Sequence, residues 1–177
     1  FAGKVGIWAI PRSMVPITLK ALDYSANSED LAELENARKY LLELSPNVVI
    51  VSGLETSIVP MLESGELEVG FGWAYDATLA QESNVPIEYV IPEEGTILWM
   101  DNFIIPANAN NPRGAELFLN FILQPEIAAQ IVNESYYPMA VDGTEPFVLP
   151  EILQNPVIFP DNDQLQHAEI TLPIRTD

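Results

Sequence analysis

The chain has 177 residues, 48% hydrophobic and 19% charged, which is enough apolar material for one domain with an ordinary core or two small lobes, and too much for a disordered chain. Its 26 acidic against 7 basic residues leave a net charge of −19, which excludes nucleic acid as an expected partner and suits a cationic ligand or simply a soluble surface. Cysteine is absent, excluding disulfides, thiolate metal centres and cysteine nucleophiles, and no run of about 18 apolar residues is present to span a membrane.

The chain opens at Phe1-Ala2-Gly3-Lys4 without an initiator Met or a leader pattern, so it reads as a mature product or an excised piece. Short apolar runs then alternate with helical patterns, which predicts an α/β domain. Residues 4–9 read as a strand and 11–22 as a helix started by Pro11 and Ser13, with Pro16 in its first turn. The next helix is predicted to start at Ser28 as N-cap and to run to Leu44, with Leu31, Leu34, Ala37, Leu41 and Leu42 on one stripe and Ser45-Pro46 ending it.

Residues 48–51 form a β-branched strand, 56–62 a short helix closed by Gly65, and 67–73 another strand whose Gly70-Phe71-Gly72-Trp73 tail allows close backbone approach. A helix over 74–81 follows, so Trp73, Tyr75 and Asp76 lie at a strand-to-helix junction, where open α/β sheets bind ligands; Trp73 plugging the core is the alternative. Residues 87–91 are a further predicted strand, followed by a strand through Trp99 to Pro106. Side chains alternate along a strand, which puts Trp99, Asp101 and Phe103 on one face. An indole two residues from a carboxylate is suited to grip an organic cation, although a core Trp beside a solvated Asp gives the same pattern.

Helices are predicted from Pro112, with Ala115, Phe118, Leu119 and Ile122 on one stripe, and from Pro125; beyond Tyr137-Pro138 the chain is irregular to Asp161 except for a short helix at 150–154. Catalytic constellations are scarce. His167 is the single histidine and sits in a polar stretch, and no nucleophile elbow, P-loop or dinucleotide fingerprint is present. No cofactor or metal site is predicted, and an enzyme is not expected.

Ala21-Leu22-Asp23-Tyr24-Ser25, Leu44-Ser45-Pro46-Asn47-Val48, Gly72-Trp73, Trp99-Met100-Asp101 with Ile105-Pro106-Ala107-Asn108-Ala109, Gln124-Pro125-Glu126-Ile127-Ala128 and Tyr137-Pro138 together resemble the polyamine-binding branch of the bacterial extracellular solute-binding proteins that feed ABC transporters. The likeness covers residues 3–140 and corresponds to the second half or so of such a protein. It implies an α/β, periplasmic-binding-protein-like (type II) lobe with a mixed sheet flanked by helices, a cleft between two lobes, and an ABC transporter permease as partner. It also implies a periplasmic or extracellular location, lipid-anchored or secreted. By the same likeness Trp73, Trp99, Asp101 and Tyr137 line the cleft for a polyamine-like organic cation, with Asp76 and Ser13 as further candidates.

The family usually carries two acids where Ile10 and Ser13 stand here, so a ligand with fewer amines, or weak polyamine binding, is expected. Other readings are a receptor of the same fold for a ferric complex or thiamine-like cation, and an α/β hydrolytic enzyme. The likeness divides the chain into one lobe from 1–96 and 142–177, and a strand plus two helices at 97–141 that belong to the partner lobe. Apolar stripes on Phe118, Leu119, Phe121 and Ile122 would then need cover, by repacking or by a homodimer of the fragment.

Overall fold

A computed structural model describes residues 1–51 and 57–173. The chain packs as two compact units, one of Phe1–Trp99 with Asp161–Asp177 and one of Met100–Pro160.

The first unit is built on a three-stranded sheet. Strand β1 (Val5–Trp8) lies between β2 (Val48–Val51) and β3 (Val69–Gly70), with Val5 opposite both Val48 and Val69. A second pair joins β4 (Ile97–Leu98) to β5 (Glu169–Ile170), Ile97 opposite Glu169. Every strand pair among the described residues is parallel. Parallel strands need long crossovers, and helices supply them: α1 (Pro11–Ala21) and α2 (Leu31–Leu44) between β1 and β2, and α3 (Val59–Glu63) before β3. Helix α4 (Ala74–Glu82) follows β3. Trp8, Val51, Ile58 and Leu67 form the buried core, with Phe71 and Trp73 packed on it. A Cβ on Gly70 would collide with the Ile58 side chain, so this strand approaches its cover as closely as the Gly70-Phe71-Gly72 run predicts.

Several expected boundaries move. Helix α2 is capped by Asp30, whose carboxylate accepts from the N–H groups of Ala32 (2.8 Å) and Glu33 (3.1 Å), and not by Ser28, whose hydroxyl bonds Glu33 instead. Pro16 sits inside α1 rather than in its first turn, so the Arg12 carbonyl lacks its usual helical donor. The short helix predicted from Thr56 begins at Val59; Thr56 lies outside the described residues. The strand expected over 67–73 is reduced to Val69–Gly70. Neither 87–91 nor 99–105 forms a strand, because alternation only makes a ladder where a second strand lies alongside, and among the described residues none does.

The second unit packs α5 (Pro112–Ile122), α6 (Pro125–Ser135) and α7 (Pro150–Leu153). Asn111 caps α5 by accepting from Gly114 N–H at 2.9 Å, and Tyr136 ends α6 in the left-handed conformation, φ 56°. Ala129, Val132, Val148, Ile152 and Ile158 make the core of this unit, so residues 148–158 pack on α6. Asn133 fastens the same segment by donating to Phe147 O and accepting from Leu149 N–H. The short helix α8 (Asn162–Leu165) returns the chain to the first unit, capped by Asp161.

Candidate binding surfaces

At the carboxyl end of β1 and β3 the first unit carries four aromatic rings in sequence from interior to surface. Trp8, 2% exposed, lies with its ring centroid 5.3 Å from both Phe71 and Trp73, and Trp73 lies 6.2 Å from Trp99, which is 42% exposed. These separations suit offset and edge-on aromatic packing. Trp73 immediately precedes α4, and its N–H is accepted by the Asp76 carboxylate at 3.3 Å, so Asp76 fixes the junction that aims the indole. Arg12 caps the series: its Cζ stands 4.9 Å from the Trp99 ring centroid. Among the described residues the buried Trp8 indole N–H has no hydrogen-bond partner, a leftover donor beneath the cluster.

The second unit carries a different pair. Tyr137, held after the left-handed turn at Tyr136 and by its N–H to Ser135 Oγ, donates its hydroxyl to Asp101 Oδ2 at 2.9 Å. Partial burial, and then the adjoining Asp101 carboxylate, push the Tyr137 phenol up to about 12, so it stays a neutral donor at ordinary pH.

The six sequence-predicted residues thus fall into separate environments. Trp73 and Trp99 come together and Asp76 braces them; Asp101 and Tyr137 come together in the other unit. Ser13 is 2% exposed, with its N–H on Ile10 O, and does not present its hydroxyl at the surface. The strand expected through Trp99 and Asp101 ends at Leu98, so both residues follow it rather than lie in it. Sequence reasoning passed over Trp8, Phe71 and Arg12. The signal available for Arg12 was a basic residue at a helix start in a chain of net charge −19.

A second polar centre lies at β5. Glu169 accepts from Lys20 Nζ (2.9 Å), Ser25 Oγ (2.6 Å) and Ala26 N–H (3.2 Å), fastening the returning segment to the end of α1 and the loop after it. Burial alone raises its carboxyl, but the hydrogen bonds from Ser25, Lys20 and Ala26 and the Lys20 charge outweigh it and hold the group below its ordinary value. A cavity of about 780 Å³ is lined by Trp73, Asp76, Ile87 and Tyr89 among others. Burial raises the Tyr89 phenol above its ordinary value.

The sequence profile described as bacterial extracellular solute-binding protein matches residues 1–146. The spermidine/putrescine-binding periplasmic protein of Escherichia coli strain K12 is 34% identical over 158 residues, 89% of this chain and 45% of that protein. A solved structure titled as a putative spermidine/putrescine ABC transporter from Listeria monocytogenes superposes with TM-score 0.83 at 30% identity, covering 96% of this chain and 52% of the other. PotD from Streptococcus pneumoniae, titled a spermidine/putrescine ABC transporter substrate-binding protein, gives TM-score 0.83 at 26% identity, covering 99% and 54%. The chain spans about half the length of the curated relatives it matches. With the α/β type II fold shared and the profile running through both packing units, the chain belongs to the bacterial extracellular solute-binding protein family.

Proposed function

We propose that this chain forms part of the substrate-binding component of an ABC importer, working with a permease at the periplasmic or extracellular face and holding a polyamine or similar organic cation. The observation that carries the reading is the Trp73–Trp99 pair, 6.2 Å apart and partly exposed, on a chain whose net charge is −19. An alkylamine needs two things from a receptor: apolar surface for its methylenes, each contributing roughly 0.8 kcal/mol when removed from water, and an acceptor for each ammonium. The indoles supply the first and Asp101, held by Tyr137, the second. In the whole protein the ligand site is a cleft between two lobes, with 97–141 as the guest segment of the partner lobe; that assignment comes from the family likeness. The names of the relatives, spermidine/putrescine-binding and putrescine-binding periplasmic proteins, support the ligand class.

Calorimetry of the whole protein with putrescine, spermidine and a monoamine tests it. Saturable binding of at least one, weakened about tenfold or more by Trp99→Ala or Asp101→Asn, is the expected result. No binding of any of the three overturns the reading. Submicromolar spermidine binding would overturn the narrower expectation that the ligand carries fewer amines.

A further inference from the structure

Arg12 is placed on the aromatic series in a way the proposed function does not use. It stands in the first turn of α1, exposed, with its guanidinium carbon 4.9 Å from the centre of the Trp99 ring. Its charge is not neutralised nearby: the first turn of α1 contains no acid, and among the described residues no carboxylate lies within ion-pair distance of it. By contrast Lys20 is paired with Glu169, and Arg38 and Lys39 with Glu35. Among the described residues Arg113 likewise has no carboxylate within ion-pair distance, so what sets Arg12 apart is its place over the Trp99 ring.

The contact to the indole is electrostatic and through the ring face, so it positions the guanidinium without consuming its N–H donors. A second cation brought to the same ring would meet that charge at close range and be repelled. A carboxylate would meet a planar fork of donors that matches it, in a charge-assisted pair.

We propose that Arg12 is a specificity-determining residue that receives the carboxylate of a ligand lying along the Trp73–Trp99 wall. The preferred solute is then an alkyl chain bearing an amine at one end and a carboxylate at the other, in place of a di- or triamine. This rests on the reading that the indole wall is a binding surface. Trp99 and Trp73 keep the alkyl chain dry, and Arg12 supplies the charge that a polyamine does not want.

The test uses two probes with the same four-carbon spacing, 4-aminobutanoate and putrescine, titrated calorimetrically into the whole protein, wild type and Arg12→Gln. The wild type is expected to favour 4-aminobutanoate by about tenfold or more, and R12Q to lose that preference by weakening 4-aminobutanoate while leaving putrescine unchanged or tighter. Arg12→Lys, which keeps the charge but not the fork, is expected to fall between them. A wild-type preference for putrescine, or a preference for 4-aminobutanoate that R12Q leaves intact, overturns the role of Arg12. Should putrescine then bind and lose affinity in W99A, the indole wall still stands. Neither probe binding, in wild type or R12Q, overturns the role of Arg12, and the indole wall falls with it only if spermidine and the monoamine fail to bind as well.

Discussion

Glu169 shows at the scale of one side chain how this fold closes. Its carboxylate gathers Lys20, Ser25 and the Ala26 N–H, three groups more than 140 positions earlier in the chain. Because its folded carboxyl is held below the ordinary value of 4.5, the stabilisation it provides is present above that value and is lost as pH falls below it. Glu169→Gln is therefore expected to lower the thermal midpoint at neutral pH, with the difference from wild type shrinking on acidification. An undiminished difference in acid would mean that packing rather than charge is at stake. Nothing in the stretch Ala168-Glu169-Ile170 marks this residue out, since its partners are distant in sequence and acids are abundant everywhere. The Trp99-Met100-Asp101 run was legible as unusual, and its two functional groups do find partners. Those partners, Arg12 and Trp73 for the indole and Tyr137 for the acid, follow only from tertiary structure.

At the scale of elements, helices were read well and strands over-read. The strand over 48–51 and the helices starting at Pro112 and Pro125 stand where proline and apolar spacing put them. Helix α2 differs only in which acceptor caps it. Ser28 and Asp30 both precede the helix, and the backbone chooses Asp30 because its carboxylate reaches the second and third N–H groups. Asp30→Ala is expected to cost about 1 kcal/mol, read as a lower midpoint in chemical denaturation, whereas Ser28→Ala costs less. Equal effects would restore Ser28 as the cap. The failures at 87–91 and 99–105 have one cause: a period-two pattern records which side is apolar, while a strand also needs a neighbour to take its backbone hydrogen bonds. Among the described residues β3 is bonded to β1 alone, and 87–90 lines the same cavity as Trp73 without pairing.

For the whole molecule, the α/β class and the family were legible from motif order. Val148, Ile152 and Ile158 join Ala129 and Val132 in one core, a grouping that irregular, proline-rich sequence does not announce. The α5 stripe is split by this packing: Ile122 is buried, while Leu117, Phe118 and Phe121 stay exposed on one helix. Contiguous exposed apolar surface drives association, so the 177-residue chain is expected to show a concentration-dependent rise in mass by light scattering, abolished by a Phe118→Ser and Phe121→Ser double substitution. A monomer at every concentration would mean that the face is covered by repacking. The chain's three tryptophans offer the most direct check on the binding surface, because they sit at graded depth, Trp8 buried and Trp99 at the surface. In ¹H–¹⁵N spectra of the chain, with indole signals assigned by Trp→Phe substitution, titration with 4-aminobutanoate or putrescine is predicted to move the Trp99 signal most, Trp73 next and Trp8 least. Saturating additions that leave the Trp99 and Trp73 signals in place would contradict the claim that this indole wall receives the ligand.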